Sequence, residues 1–533
     1  MFVLAILIGI YSYIILALGF AGILYANNIS LLTFVFLAII LFLYREYIWV
    51  KLSTFNLFIK STVRNKNLLI LLLLFLTQAS VNIIGVLGPE ISFDSLWYHL
   101  TLPKIYLQNH EITFIPGSLY YYSAMPKLTE MLYIPFLTLD TETLAKLAHF
   151  SFGILSAVVV YKIAREFLSK EYSLLSALLF YGNLVVGWIS ISAYIDLSRT
   201  FFESLAFLSF LFWAKTKRNY FLVTSGLMLG LAVSSKLLAL GSLLVYVPLI
   251  LTQTEKIGVF LRKSTSFIFL TLFLSLPWFV FSFVHTGSPI YPFLSNTYPI
   301  EIERSLFSLP SVSETLKSTF LFGQDPILPM YLILFPLVLV YFQKFKNLEK
   351  ILLYYSLGAL LVWYITPSSG GGRFILPYLP ALSVVSILTI QKLSDKKLRK
   401  YLVALLIVSL VISIGYRFLA NSKFLNYLLG QESKNEFLSK NLNFSFGDFY
   451  DTDGFFKDNI KKDQTVLLFG FHNLYYADFR FIHSSFVEKG DRFSFVATQN
   501  TDLPDRFRYW NLIYTNPKTN VKVYTLGGIP WTY

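Results

Sequence analysis

The sequence contains no cysteine, and only 14% of its 533 residues are charged. Without cysteine there are no disulfides and no thiolate ligands for a metal or an iron–sulfur cluster. A soluble protein would carry about a quarter charged residues, so the low charge excludes an ordinary soluble domain. The chain is instead apolar, with 55% hydrophobic residues and a mean hydropathy of +0.61.

Long apolar runs recur along most of the chain, and a helix needs about 20 such residues to cross the hydrocarbon layer of a membrane. The runs do not alternate between apolar and polar residues, which excludes a β-barrel. The sequence therefore predicts an all-α polytopic membrane protein with about 13 transmembrane helices. We place the spans near residues 3–25, 30–50, 68–87, 143–166, 171–193, 197–214, 219–234, 237–253, 265–284, 326–343, 350–366, 374–391 and 401–419.

Basic residues are concentrated in every second loop between these spans, as in LSDKKLRK at 393–400. This is the positive-inside bias of membrane proteins, and it places the N-terminus in the cytoplasm. The net charge of +14 therefore reports topology and not nucleic-acid binding. The first run lacks a basic leader and a small-residue cleavage site, so we interpret it as a retained span. We expect an integral protein of a prokaryotic cell (inner) membrane, which the absence of cysteine fits.

The predicted organisation has three parts: two extra N-terminal transmembrane helices (1–67), a transmembrane core (68–420) and a small extracytoplasmic α/β domain (421–533). The last part is predicted from short β-rich runs such as TVLLFGF (465–471) that are separated by turn signals. We expect it to be a structural cap or a docking domain.

Two predicted outer loops are long, 88–142 and 285–325. Long loops in compact proteins are usually functional or contain elements of their own. In loop 88–142 two amphipathic stretches, 94–109 and 119–138, predict short helices along the outer membrane surface. The second loop carries the proline-rich HTGSPIYPF (285–293), which is typical of a cleft lining.

Directly after a predicted span, FDSLWYHLTLPKIY (93–106) places Asp94, His99 and Lys104 among aromatic residues. An ionisable group at the mouth of a span is costly unless it is hydrated, paired or used. Asp94 alone is equally consistent with an N-terminal helix cap. His99 is consistent with orienting Asp94 or with an ordinary interfacial histidine.

Further polar residues lie at the predicted outer ends of later spans. They are Lys127 in AMPKLTEM, Asp196 in SAYIDLSR, Lys236 in GLAVSSKLLAL and Arg373 in SSGGGRFILPYLP. Basic residues on the outer side run against the positive-inside bias, and a bound anionic phosphate would explain them. Lys236 also fits a lysine that extends to the membrane surface. The three glycines before Arg373 would allow close approach of a ligand.

Taken together, these motifs resemble the C-type glycosyltransferases, polytopic enzymes that use lipid-phosphate-linked sugars. Within them, the chain is similar to the branch of protein O-mannosyltransferases and the lipid A aminoarabinose transferase, over roughly residues 68–420. The resemblance implies that Asp94 is the catalytic carboxylate and that Lys236, Arg373 and Lys127 contact the donor phosphate. Many relatives have two adjacent acids at this point, whereas here Ser95 follows Asp94.

A second acid must therefore come from elsewhere, and Asp196 is the candidate. Other residues expected to contact the acceptor or to support Asp94 are His99, Tyr98 and Lys104.

The expected activity is transfer of a sugar from a polyprenyl-phosphate donor to an acceptor hydroxyl on the outer face, with inversion. Asp94 would act as general base, and fixed cations would stabilise the departing phosphate. We expect no cofactor and no metal, because a monophosphate donor has no diphosphate to neutralise. The partners are the donor, membrane lipids and a glycan, lipid or protein acceptor. A lipid-linked glycan polymerase or ligase and a lipid or glycan transporter remain alternatives.

Overall fold

The structure is a computed structural model that describes residues 1–63, 65–139, 141–295, 308–322, 327–366, 371–527 and 529–533. Parts of the predicted outer loop 285–325, and residues 367–370 with the first of the three glycines before Arg373, lie outside the described residues. The helices are α1 Phe2–Phe20, α2 Ala26–Val63, α3 Lys66–Leu87, α4 Thr101–Asn109, α5 Leu128–Leu137, α6 Glu142–Arg165, α7 Lys170–Tyr181, α8 Leu184–Ile189, α9 Asp196–Thr216, α10 Asn219–Ser235, α11 Leu243–Thr252, α12 Ile257–Thr286, α13 Leu309–Phe320, α14 Met330–Tyr341, α15 Asn347–Ile365, α16 Leu379–Lys392, α17 Lys396–Asn421, α18 Leu425–Leu428, α19 Lys434–Asn441 and α20 Phe455–Asn459.

Within these ranges, 7 helices are long and apolar enough to cross a membrane. They lie at Phe2–Phe20, Ala26–Arg45, Lys66–Leu87, Glu142–Arg165, Ile257–Thr286, Asn347–Ile365 and Lys396–Leu428. The prediction of an all-α integral membrane protein is confirmed, whereas the number 13 is not. The main reason is that some predicted spans are short or interrupted. The predicted span 171–193, for example, consists of α7 and α8, which are separated at Gly182 and Asn183.

Helix α9 lies at the centre of the helical part and packs against α6 and α10. Every side chain from Asp196 to Leu211 is buried, the pattern expected of a helix surrounded by protein on all sides. Charged residues of α9 that lie inside this core are paired: Arg199 Nη2 lies 3.1 Å from Glu203 Oε1 and donates to Tyr378 Oη at 3.2 Å. Buried charges without such partners would be strongly destabilising.

Loop 88–142 forms the two predicted helical stretches, with different bounds. The first comprises a π-helical turn, Ser95–His99, followed by α4. The second comprises a 3₁₀ turn, Tyr121–Ala124, followed by α5, which packs against α1, α4 and α6. Its location on the outer membrane surface stays a prediction.

The C-terminal part contains the predicted small sheet domain, with strands β1 Thr465–Phe469, β2 Arg480–His483, β3 Arg492–Phe493, β4 Phe495–Gln499, β5 Asn511–Asn516, β6 Val521–Thr525 and β7 Trp531–Thr532. The main sheet has the order β2-β1-β4-β6-β5, and β3 pairs with β7. Strand β1 runs parallel to β2 and β4, whereas β6 is antiparallel to β4 and β5. All of β4 is buried, which fits its central place.

The sheet domain is held against loop 88–142. The backbone N–H of Tyr475 donates to Leu96 O at 3.2 Å. Gly117, at φ +88°, lies so close to Ser485 that a Cβ atom would come within 1.9 Å of its carbonyl oxygen. Glycine is required here both for its positive φ and for the close approach of the two segments.

Candidate active site

Asp94 lies directly before the π-helical turn, and its side chain makes no capping hydrogen bond there. The helix-cap alternative therefore does not account for this carboxylate. Its Oδ2 instead lies 2.7 Å from Arg373 Nη2 and accepts a long hydrogen bond, 3.4 Å, from the Tyr98 hydroxyl. The backbone N–H of Asp94 donates to the Tyr194 hydroxyl at 3.2 Å, which fixes the start of the turn.

Arg373 ends a short 3₁₀ turn, Gly371–Arg373, and faces two acids. Besides its contact with Asp94, its Nε lies 3.6 Å from Asp196 Oδ2. The guanidinium carbon lies 4.8 Å from the centre of the Tyr194 ring. A planar guanidinium is suited to this arrangement, because it can contact two carboxylates and an aromatic face together.

Lys236 follows the last residue of α10 and has an extended backbone, with φ −152° and ψ 120°. The break in the helix directs its ammonium group to Asp196, whose Oδ1 accepts a hydrogen bond from Nζ at 2.7 Å. The alternative of a lysine extending to the membrane surface is not what the structure shows, since the side chain is 15% exposed and paired.

Asp196 is the first residue of α9, where the helix dipole favours an acid. His149 of α6 fixes this helix start: its Nε2 accepts from the backbone N–H of Leu197 at 3.1 Å, and its Nδ1 donates to Ser192 O at 2.8 Å. A neutral imidazole satisfies both bonds. The side chain of Asp196 is 2% exposed, so its charge depends on Lys236 and Arg373.

A cavity of about 240 Å³ lies beside these groups. Both cations line it, together with tyrosines from loop 88–142 and the end of the HTGSPIYPF segment. Asp94 and Asp196 contact this cavity wall through the two cations. The lining residues are Tyr98, Tyr121, Tyr122, Met125, Pro126, Lys127, Glu130, Ile195, Ser235, Lys236, Leu237, Leu238, Pro292, Phe293, Arg373 and Phe374.

Lys127 is a buried member of the cavity wall, and its Nζ donates to Ser123 O and Met125 O, each at 2.6 Å. Burial lowers the pKa of Lys127 to about 7, against the opposing effect of the Glu130 carboxylate. The two carbonyl bonds hold the turn that carries the cavity tyrosines. Contact of Lys127 with a donor phosphate stays a prediction.

His99 is buried one turn after Asp94, and its Nδ1 lies 2.8 Å from Glu130 Oε1. This pair joins the π-helical turn to α5, and Glu130 itself lines the cavity. Tyr98 contacts Asp94 as described and stacks on Tyr122, with ring centres 3.8 Å apart.

The structure does not bring Lys104 into this group. Its Nζ donates to Tyr475 O at 2.8 Å, to Ala477 O at 3.0 Å and to Asp478 Oδ1 at 2.5 Å. All three acceptors belong to the C-terminal part. Lys104 bonds to these acceptors because the sheet domain covers the face of α4 that carries this lysine.

Two charged residues near the site were missed by the sequence analysis. Glu90 accepts from the backbone N–H groups of Ile91 and Ser92 with one oxygen and from that of Ala193, at 2.7 Å, with the other. Lys146 of α6 donates to Gly85 O and Gly88 O. Both lie at predicted outer ends of spans. Lys146 is basic, so the criterion that selected Lys236 would have selected it too, whereas the acid Glu90 does not meet that criterion.

Comparison with known proteins shows what this chain is similar to. Residues 135–281 match the family described as dolichyl-phosphate-mannose-protein mannosyltransferase. The crystal structure of ArnT from Cupriavidus metallidurans in the apo state is similar, with a TM-score of 0.58 and 13% identity over 86% of this chain and 98% of that chain. The chain has the C-type glycosyltransferase fold.

The same ArnT bound to undecaprenyl phosphate has a TM-score of 0.55 and 12% identity, over 86% of this chain and 98% of that chain. No curated protein sequence matches this chain. The predicted resemblance to C-type glycosyltransferases and the predicted enzyme class, a glycosyltransferase, are confirmed.

Proposed function

We propose that this C-type glycosyltransferase moves a sugar from a polyprenyl-phosphate donor to an acceptor hydroxyl, with Asp94 as general base and Arg373 and Lys236 as phosphate ligands. The observation that carries the proposal is the contact of Asp94 with Arg373 at the wall of a cavity that Lys236 also lines. A similar protein, ArnT, has been crystallised with undecaprenyl phosphate, which supports a lipid phosphate as the donor's leaving group.

The charged residues of the site match the changes in charge that this reaction requires. The donor is a phosphodiester with one negative charge, and the departing polyprenyl phosphate gains a second charge as the glycosidic bond breaks. In the same step the acceptor hydroxyl forms the new bond to the anomeric carbon and gives its proton to Asp94. One negative charge is thus lost at Asp94 and one appears on the phosphate.

Arg373 is placed to contact the negative charge on Asp94 before the reaction and on the phosphate after it. It contacts Asp94 before the reaction, and a cation already in place needs little reorganisation to stabilise the phosphate afterwards. Asp196 contacts both Arg373 and Lys236 and is nearly inaccessible. We assign it the role of a positioning residue that keeps the two cations together, in place of a second base.

The direction of attack follows from a single displacement. With no covalent intermediate on the protein, attack opposite the phosphate inverts the anomeric configuration.

The predicted positive-inside topology puts the cavity on the extracytoplasmic side, where a prenyl tail could stay in the membrane while its sugar enters between the helices.

The test uses purified full-length protein, a radiolabelled polyprenyl-phosphate hexose and a membrane extract as acceptor. We expect label to appear in a new glycosidic product, and EDTA not to inhibit. Donors linked through diphosphate would be used instead by a polymerase or ligase. Movement of substrate across vesicles without a new glycosidic bond would identify a transporter and overturn the proposal.

A further inference from the structure

A group of aromatic rings next to Asp94 is not used by the donor site. It comprises Phe93 and Trp97 from loop 88–142 and Phe446 and His472 from the C-terminal domain; we call it the aromatic patch. The His472 ring lies 4.5 Å from Trp97, 5.1 Å from Phe93 and 5.3 Å from Phe446, measured between ring centres. Two segments far apart in the chain therefore build one surface.

The patch continues into the cavity. The Trp97 ring centre lies 5.0 Å from that of Tyr122 and 5.3 Å from that of Tyr98, and both tyrosines line the cavity. The indole N–H donates to Leu119 O at 2.8 Å, which fixes the orientation of the ring. A molecule on the patch would thus lie next to Asp94 and at the edge of the donor site.

Part of the patch is exposed, although three of its four rings belong to phenylalanine and tryptophan. Phe446 is 53% exposed, and Phe93, Trp97 and His472 are half-buried. The position of Phe446 is set by Gly447, whose φ of +107° is unfavourable for other residues and whose Cβ would come within 3.0 Å of His472. Exposed aromatic rings held in place by their surroundings are typical of binding surfaces.

A chain of hydrogen bonds fixes the polar side of His472. Asp448 Oδ1 accepts from Asn473 Nδ2 at 2.6 Å, so the Asn473 carbonyl oxygen faces the imidazole and accepts from its Nδ1 at 2.9 Å. The hydrogen on Nδ1 leaves Nε2 as an acceptor. Burial lowers the pKa of His472, which keeps the ring neutral near pH 7. The patch therefore combines aromatic faces with a fixed acceptor for a hydroxyl.

This combination matches a sugar ring better than the other acceptor classes. A sugar presents an apolar C–H face, which is attracted to the negative face of an aromatic ring, and a rim of hydroxyls. Peptides that bind in extended form pair with a free strand edge, whereas the patch is built from turns. A lipid chain would be expected to prefer the almost wholly apolar groove between α1, α2, α5 and α6.

We propose that the aromatic patch is an acceptor subsite that binds a sugar ring of a glycan, with the accepting hydroxyl directed to Asp94. The inference rests on the function proposed above and names its acceptor class. It also gives the C-terminal domain a role, because Phe446 and His472 both belong to it.

The experiment uses the full-length protein, fluorescently labelled in lipid nanodiscs, on an array that carries defined oligosaccharides beside serine- and threonine-containing peptides. We expect capture by oligosaccharides. Phe446→Ala should weaken it by about tenfold or more, whereas Phe446→Tyr, which keeps the ring, should retain it. Tyr509→Ala is the matched control, since Tyr509 is 74% exposed in the same domain and is not part of the patch.

Capture by peptides alone, no capture by any oligosaccharide, or equal capture by Phe446→Ala would each overturn the inference. A parallel measurement separates it from the function proposed above. If undecaprenyl phosphate still raises the melting temperature of the protein while glycans do not bind, only the acceptor subsite is wrong. If undecaprenyl phosphate does not stabilise the wild-type protein, the donor assignment is wrong as well.

Discussion

Arg373 Nη2 lies 2.7 Å from Asp94 Oδ2, so the expected base of the reaction is paired with an expected phosphate ligand. In this state Oδ2 of the carboxylate is occupied by the guanidinium. A phosphate that binds Arg373 would compete with Asp94 for the guanidinium. Donor binding would therefore release the carboxylate for the acceptor hydroxyl, and the two substrates would be coupled through one arginine.

Asp94→Asn should lower the transfer rate by about 10²–10⁴-fold, because an amide cannot take the proton of the acceptor hydroxyl. Binding of undecaprenyl phosphate should not weaken, since Arg373 loses its competing carboxylate. The measurements are label transfer and the rise in melting temperature with undecaprenyl phosphate. Asp463→Asn, at an exposed position of the C-terminal domain, is the control. Unchanged transfer by Asp94→Asn would remove Asp94 from the mechanism.

Arg373→Lys should weaken undecaprenyl phosphate binding by about tenfold or more, because an ammonium cannot replace the planar guanidinium at both acids. Lys236→Met should also weaken binding. Lys127→Met provides the comparison: its Nζ is bonded to two backbone carbonyls, so we expect a lower melting temperature with a smaller change in lipid affinity. An equal loss of affinity in all three variants would instead make Lys127 a phosphate ligand.

Asp196→Asn should lower the stability of the ligand-free protein by about 3 kcal/mol or more, because Lys236 and Arg373 lose the buried charge that they share. A bound phosphate replaces that charge. Undecaprenyl phosphate should therefore raise the melting temperature of this variant more than that of the wild type. If the lipid stabilises both proteins equally, Asp196 does not hold the two cations for phosphate.

Lys104→Met should weaken the attachment of the sheet domain, because the Nζ bonds to Tyr475, Ala477 and Asp478 are lost together. We expect a cost of about 1–3 kcal/mol, seen as faster hydrogen exchange around residues 475–478. Asp478→Asn keeps the two carbonyl bonds and should have a smaller effect. Lys457→Met, at an exposed lysine of the same domain, should have none.

The sheet domain should lose stability in mild acid through His483. Its Nε2 donates to Phe471 O at 3.0 Å, while its Nδ1 accepts from the backbone N–H of Ser485 at 3.1 Å, so the native ring is neutral. Burial lowers the pKa of His483 to about 4. In the unfolded chain the ring titrates near pH 6.5. Between these two values the unfolded state binds the extra proton, so stability falls as the pH is lowered from about 6.5 to 4.

The expected loss is up to about 3 kcal/mol, measured as lower protection of the β1 and β4 amides at pH 4.5 than at pH 7, with each exchange rate divided by the rate of the unfolded chain at the same pH. His483→Gln should flatten this dependence. His285→Gln, at an exposed histidine in α12, should leave it unchanged. An equally steep dependence in His483→Gln would assign the effect to other groups.

The sequence identified most residues of the candidate site but not which of them contact one another. The unusual position of Lys236 and Arg373, basic residues at predicted outer ends of spans, was visible in the sequence. That Asp196 contacts both of them was not, because the contact depends on the break after α10 and on the start of α9. Lys104 is the opposite case. Its sequence position close to His99 predicted a place in the site, but the structure gives it hydrogen-bond partners in the sheet domain.

The predicted spans also show which features the sequence indicates and which it does not. Hydropathy identified the long apolar helices, such as α3, α6 and α12. It also assigned a span to α9, which stays a prediction, but it did not indicate that protein surrounds this helix on all sides. Apolar composition alone does not distinguish a helix that faces lipid from one that faces other helices, because the two surroundings are similarly apolar.

By itself the sequence determined the class of this protein, its long apolar helices, its C-terminal strands and the residue types available for phosphate chemistry, because hydropathy, charge and turn signals are local properties of the chain. Only the tertiary structure decided that Asp94 pairs with Arg373, that Asp196 joins the two cations, and that rings from two distant segments meet beside them. Those contacts are set by how helices and loops pack, and packing depends on the whole chain at once.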